Sequence, residues 1–305
     1  MEKVIEVKNL VKKYENITAV SDVSFDIYRG EIFGLLGENG AGKTTTLEIM
    51  EGLRKATSGK ITILNHNIKN GLNEIKERIG VQLQSSAYFS FLTLQEILEI
   101  FGSFYAKSLN PDELLQMVGL QEKANFFVNK LSGGQKQRFS IVASLINDPD
   151  IVFLDEPTTG LDPLARRSLW DVITKIKGKG KTVILTSHYM EEAEVLCDRI
   201  AIMDRGKVIA LDKTHKLIER SSNPYRISFV SPGLEDKDKI SLEKLGILEK
   251  LADKEYYYVF KSKTADHLNK ALGIIHGKSP ESLMVGRATL EDVFIELTGR
   301  KIEEI

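Results

Sequence analysis

Residues 37–45 read G-E-N-G-A-G-K-T-T and satisfy the phosphate-loop pattern G-x-x-x-x-G-K-[ST] at every specified position. Gly37, Gly40 and Gly42 let the backbone turn its N–H groups inward, with Glu38, Asn39 and Ala41 between them and Thr45 closing the run. A helix starting at Thr44 adds the positive end of its dipole, so the stretch predicts a cup for the phosphates of a nucleotide such as ATP. Lys43 would reach the terminal phosphates as a point charge, and the Thr44 hydroxyl would ligate the Mg2+ that neutralises them. The competing reading, a glycine-rich turn entering an ordinary helix, does not account for the short apolar strand expected over 31–36 just before it.

A second chemical cluster lies near the middle of the chain. Residues 151–154 form an apolar strand ending in Asp155 and Glu156, followed by the sharp turn 157–160. Acids at the carboxyl end of a buried parallel strand face the crevice where open α/β sheets bind ligands. Asp155 suits a magnesium ion and Glu156 is placed to polarise a water for in-line attack on a γ-phosphate. Asp162 before Pro163 reads as a helix cap and first-turn pair. The strand 182–186 ends at Ser187 and His188, and this histidine is either a donor to the γ-phosphate or a structural helix-start residue.

Three further features are ambiguous when taken singly. Gln84 ends the strand 79–83 and is either a metal ligand and phosphate sensor or a surface glutamine. Residues 131–135 read L-S-G-G-Q: Ser132 is a good cap, and Gly133 and Gly134 leave the next helix, over 136–146, open at its N-terminus, which makes a second anion site or an ordinary helix start. Tyr14 is either an aromatic that stacks on a nucleotide base or a sheet-edge tyrosine.

The elements that must hold these groups alternate between strand and helix. Strands are expected over 4–7, 24–27 and 60–64, and helices after the phosphate loop and after Asp162. Leu94, Ile97, Leu98, Ile100 and Phe101 recur at helical spacing, and Asn110 with Pro111 caps the next helix. This helical stretch interrupts the alternation and reads as an inserted subdomain.

Composition narrows the function. A chain of 305 residues points to about two domains, and 42 Lys and Arg against 43 Asp and Glu give no pull toward nucleic acid. Cys197 is alone, so no intramolecular disulfide forms. The charged start leaves no apolar core for a signal peptide, and no run approaches the roughly 18 apolar residues of a spanning helix. A cytoplasmic protein is expected, for which another chain must cross any membrane it serves.

In this order, G-E-N-G-A-G-K-T-T, Gln84, L-S-G-G-Q, I-V-F-L-D-E, G-L-D and His188 resemble the ATPase subunit of ATP-binding cassette (ABC) transporters over residues 2–220. The resemblance implies an α/β fold, a P-loop NTPase of ABC type with an inserted helical subdomain at about 86–148. It assigns Tyr14 to adenine stacking, Gln84 to the loop that links nucleotide state to the membrane subunit, and His188 to the switch histidine. Ser132, Gly133, Gly134 and Gln135 would cap the ATP held by a second subunit, and Asp162 would lie in the loop crossing that interface. The implied catalytic unit is a head-to-tail dimer, of two copies or of one copy with a paralogue, sandwiching two ATP molecules. It would drive a separate transmembrane permease subunit from the inner face of the cell membrane. Ala56 stands where proline is frequent in the family and G-L-D replaces the more frequent A-L-D; neither removes a catalytic group.

Residues 221–305 read as a separate piece with the order βαββαβ, a small ferredoxin-like α+β domain, then an amphipathic helix capped by Thr289. Its stretch A-T-L-E-D-V-F-I-E-L-T-G-R resembles the tail of ABC-2-type export ATPases. Two other readings compete: a soluble ABC ATPase acting on DNA or ribosomes, and a regulatory nucleotide-binding module with little turnover. One cassette without sustained heptads argues against the first, and intact Glu156 and His188 against the second.

Overall fold

The computed structural model describes residues 2–82, 88–251 and 256–299. The chain divides into two compact units, Met1–Lys213 and Thr214–Ile305. The division falls ahead of residue 221, where the sequence places the start of the second piece, because the short helix Thr214–Glu219 groups with the second unit.

In chain order the first unit contains β1 (Lys3–Tyr14), β2 (Ile17–Tyr28), β3 (Ile32–Leu36), α1 (Lys43–Met50), β4 (Ser58–Ile63), β5 (His66–Asn67), α2 (Leu72–Lys76) and β6 (Ile79–Gln82). The helical insertion follows with α3 (Leu94–Ser103), α4 (Pro111–Met117) and α5 (Gly133–Ala143). The unit closes with β7 (Ile151–Asp155), α6 (Pro163–Gly178), β8 (Thr182–Ser187), α7 (Met190–Leu196), β9 (Arg199–Asp204) and β10 (Lys207–Lys213).

Largely apolar runs make β3, β7 and β8 buried at every position, as strands covered on both faces must be. They form the middle of a six-stranded sheet of order β10-β9-β3-β8-β7-β6, parallel except for the β10 edge. Its register sets the site: Leu36 lies opposite Ser187, and Asp155 opposite Thr186. The carboxyl ends of three strands therefore carry the phosphate loop, the two acids and His188 along one edge.

A second, antiparallel sheet has the order β2-β1-β4-β5, and the core lies where its apolar side meets β3, β7 and α1. Strands β1 and β2 run 12 residues each, far beyond the short segments legible as alternation. Register shifts along β1, with Asn9 and Asp22 at φ of 46° and 56°, break the alternation midway. In the insertion, Thr93 and Glu96 form a capping box on α3, Asn110 caps α4, and the helices bury Leu98, Leu115 and Phe139. Among the described residues no helix is long and apolar enough to cross a membrane.

The second unit holds α8 (Thr214–Glu219), β11 (Tyr225–Val230), α9 (Asp236–Glu243), β12 (Ile247–Lys250), β13 (Tyr257–Ser262), α10 (Ala265–His276), β14 (Ser282–Arg287) and α11 (Leu290–Thr298). The sheet is fully antiparallel with the order β12-β13-β11-β14, the ferredoxin-like arrangement expected from βαββαβ. Residues 252–255, between β12 and β13, lie outside the described residues. Phe229, Tyr258 and Phe260 fill the core, with Phe229 and Tyr258 stacked at 5.5 Å. Helix α11 is pinned by Asp292, which pairs with Lys261 at 2.8 Å and Arg226 at 3.0 Å.

Candidate functional site

The phosphate loop leaves β3 at Gly37. A side chain there would meet the Met203 carbonyl of β9 at 2.3 Å, and one at Gly42, where φ is 98°, would meet the Ala19 carbonyl of β2 at 2.5 Å. Glycine alone lets the loop lie against both strands. Asn39 and Gly40 are exposed at the loop's crest, Glu38, Thr44 and Thr45 are half-buried, and Ala41 packs inside. No side chain caps α1 at Gly42, so its first N–H groups point at the space a phosphate would take.

Lys43 is buried beneath this loop. Its Nζ donates to the carbonyls of Gly37 at 2.8 Å and Glu38 at 3.0 Å and stands 3.8 Å from Glu156 Oε1. Burial pulls its pKa below the ordinary lysine value, against the nearby carboxylates that raise it. The Thr44 hydroxyl lies 3.3 Å from Asp155 Oδ1, which also accepts from Thr186 Oγ1.

Glu156 sits at φ 46°, in the left-handed region that a side chain disfavours. Its N–H donates to Thr186 Oγ1 at 2.9 Å, and its Oε2 accepts from Thr159 at 3.1 Å. His188 Nδ1 approaches the same Oε2 at 3.4 Å. The His188 contact, with Lys43 adding to it against the effect of burial, holds the Glu156 carboxyl below the usual carboxylate range. Burial, with the Glu156 charge beside it, instead raises Asp155. An ionised carboxylate flanked by an ammonium and an imidazole, next to an acid that gains from a cation, is a suitable arrangement for phosphoryl transfer to water.

Thr186 carries this arrangement and was not singled out from the sequence. It fastens the acids of β7 to β8, bonding Asp155 through its side chain and Glu156 through the backbone N–H. The available signal was a hydroxyl directly after the apolar run V-I-L, but its role depends on the β7–β8 register.

The other half of the predicted set opens elsewhere. Ser132 caps α5 in a reciprocal box with Gln135, so the helix starts at Gly133 and ends at Ala143, ahead of the span 136–146 expected for it. Ser132, Gly133, Gly134 and Gln135 line a cavity of about 270 Å³ with Gly160, Leu161, Asp162 and Arg138, and no residue of the phosphate loop borders it. Asp162 Oδ1 accepts from the N–H groups of Leu164 and Ala165 and caps α6, as expected.

Tyr14 ends β1 and pairs with Ile17 in the hairpin whose Ala19 touches Gly42. Lys12 Nζ lies over its ring at 4.7 Å. Gln84 lies outside the described residues, just beyond the end of β6.

The ABC transporter family profile matches residues 20–159. The Nod factor export ATP-binding protein I of Cupriavidus pinatubonensis is 35% identical over 99% of this chain and 92% of its own. A fluoroquinolones export ATP-binding protein of Mycobacterium tuberculosis is 36% identical over 98% of this chain and 94% of its own. Among solved structures, a dimeric ATP-binding cassette in a post-hydrolysis state bound to ADP and Pi is 30% identical, with a TM-score of 0.63, over 68% of this chain and 98% of that one. The phosphate loop, the paired acids and the capped L-S-G-G-Q helix thus sit in a chain similar along nearly its whole length to export ATPases, and the chain belongs to the ATP-binding subunits of ABC transporters of the export type.

Proposed function

We propose that this ATPase works as one half of a head-to-tail pair that powers export through a separate transmembrane permease, from the cytoplasmic face of the membrane. One observation carries the pairing: the cavity beside L-S-G-G-Q and the uncapped start of α1 at the phosphate loop share no residue, which supports two half-sites in one chain. A second cassette, identical or paralogous, supplies the missing L-S-G-G-Q to each phosphate loop. The dimeric relative bound to ADP and Pi supports this reading.

In the proposed cycle the N–H groups of residues 37–45 take the phosphates, and Lys43 leaves the Gly37 and Glu38 carbonyls for the terminal ones. Tyr14 stacks on adenine. A hydroxyl and a carboxylate 3.3 Å apart form a hard-oxygen pair that fits magnesium, so Thr44 and Asp155, with Gln84, would hold Mg2+. When bound, this ion neutralises phosphate charge and so favours the transfer. Glu156 orients a water and accepts its proton as the water oxygen bonds to the γ-phosphorus. The γ-phosphorus bond to the bridging oxygen breaks, and that electron pair leaves with ADP. His188, released from Glu156, donates to the γ-phosphate. Ser132 to Gln135 of the partner cap the nucleotide, and Asp162 spans the interface. Residues 221–305 regulate or strengthen the pair.

The test is to tag the full chain in its native cell, extract membranes in mild detergent and identify what co-purifies by mass spectrometry. Recovery of a polytopic membrane protein is expected. Recovery only in the soluble fraction, with ribosomes, DNA or nothing, would overturn the transporter assignment.

A further inference from the structure

His188 stands against Glu156 without a directed bond to fix its ring. Its Nδ1 is buried and lies 3.4 Å from Glu156 Oε2, short of hydrogen-bond geometry, so this contact leaves the plane of the imidazole open. A histidine that has to meet a γ-phosphate within hydrogen-bond reach needs that plane set by other groups. The neighbouring side chains supply them. The Tyr189 ring packs on the imidazole with centroids 4.1 Å apart and planes tilted by 41°, and the Arg166 guanidinium lies over the Tyr189 ring at 4.2 Å. Guanidinium, phenol and imidazole thus make one chain of contacts from α6 to the residue that follows β8.

Both ends of this chain of contacts are anchored. The Tyr189 N–H donates to Ser187 Oγ at 3.0 Å, which fixes the turn that carries His188. Arg166 sits one turn into α6, its N–H donating to the Asp162 carbonyl at 2.9 Å. One turn further along, Trp170 Nε1 donates to Glu192 Oε1 at 3.2 Å, a buried bond that ties α6 to α7. Glu192 is fully buried, and Arg166 is the cation acting on it. The Arg166 Nε is buried and makes no hydrogen bond; the guanidinium meets an aromatic face instead.

We propose that Tyr189 and Arg166 are positioning residues for His188, holding its imidazole so that it meets the γ-phosphate in one orientation. The inference rests on His188 acting as the γ-phosphate donor, as proposed above. Each residue acts through the histidine. The arrangement asks for a ring at position 189, because a cation is drawn to the negative face of an aromatic ring and an imidazole packs well against it, whereas an aliphatic side chain offers no such face. It asks for a cation at position 166 that is planar and always charged, which arginine supplies. Orientation of this kind governs rate rather than affinity, since a catalytic group misplaced by about 1 Å loses up to about a hundredfold in turnover.

The test measures ATP hydrolysis by the purified full-length chain and its variants, in steady state and in single turnovers with the protein in excess. Tyr189→Leu should lower kcat about tenfold while KM for ATP stays within about twofold, and Tyr189→Phe, which keeps the ring, should stay within about twofold of wild type. Arg166→Gln keeps much of the length, removes the charge and should also lower kcat, about fivefold or more. The distinguishing measurement is a double-mutant cycle. Added to His188→Ala, Tyr189→Leu or Arg166→Gln should change the residual single-turnover rate by less than about twofold, because the group they position is gone. A wild-type kcat in Tyr189→Leu or in Arg166→Gln would overturn the assignment. So would the same loss in both backgrounds, which is what general damage to the fold produces; Arg166→Gln, on a half-buried side chain, carries the cycle if Tyr189→Leu does not fold. His188→Ala hydrolysing ATP at the wild-type rate would instead remove the reading of His188 and this inference with it.

Discussion

Glu156 combines two costs: a left-handed backbone and a carboxylate buried to 9% exposure. Such a conformation costs about 1–3 kcal/mol and persists where its surroundings over-determine it, here through Thr186 on the N–H and Thr159 and His188 on Oε2. Glu156→Gln keeps the shape and removes the base. Turnover should fall by at least about a hundredfold while ATP stays bound, and gel filtration with ATP should show a trapped dimer. A variant hydrolysing ATP at the wild-type rate would remove Glu156 as the base. Glu51, whose burial at the end of α1 pushes its carboxyl up, gives a pH-dependent counterpart. Its folded pKa of about 8 lies above the ordinary 4.5, so the folded state holds a proton that the unfolded chain releases between those values. The stability this proton confers is complete below 4.5 and is lost as pH rises through about 8. Replacement by glutamine should therefore stabilise the protein on the order of 4 kcal/mol at pH 8 and by little near pH 4, as read by denaturant unfolding of both chains. Glu156 was legible because it ends an apolar strand beside an acid. Glu51 and Thr186 were not, since burial by distant elements and cross-strand register give them their meaning.

Among the elements, α5 shows how a helix start becomes a binding surface. The Ser132–Gln135 box satisfies the cap internally, so the two glycines that follow are free of capping duty. A Cβ on Gly133 would meet nothing within 4 Å, whereas one on Gly134 would press on the Ala165 Cβ at 3.1 Å. Gly133→Ala should thus hold or raise stability, by about 0.5–1 kcal/mol for alanine over glycine in a helix. It should nevertheless lower ATPase activity about tenfold or more if the second subunit's nucleotide must approach this surface. Thermal unfolding and turnover measured on one preparation separate the two effects, and unchanged turnover would take Gly133 out of the interface. The cap and the C-terminal βαββαβ order were legible because each is written locally, in cap residues and in alternation. Strands β9 and β10 were not anticipated, although Arg199–Asp204 supplies the neighbour of β3 that closes over Gly37. Their short runs carry charged ends, and only pairing within the sheet identifies them.

For the molecule as a whole, every described residue assigned to ATP lies in Met1–Lys213, which has its own core, while Thr214–Ile305 has another. Relatives named for Nod factor export and for fluoroquinolones export both align along nearly the full chain, so names with different cargoes go with one kind of chain. This fits a division of labour in which the ATPase supplies work and the membrane subunit selects cargo. On the function proposed above, the second unit acts on the pair rather than on the chemistry. A chain ending at Lys213 should bind ATP with a Kd within about threefold of the full chain, since no assigned contact is removed. If residues 214–305 strengthen the pair, ATP-dependent dimerisation of the shortened Glu156→Gln chain should need at least about tenfold more protein, the effect of losing a second linked contact. Analytical ultracentrifugation across a concentration series measures that midpoint directly. An unmoved midpoint, with unchanged ATPase and transport, would leave the second unit without a role in the cycle, whereas weaker ATP binding by the shortened chain would mean that its ordered fold supports the nucleotide site itself.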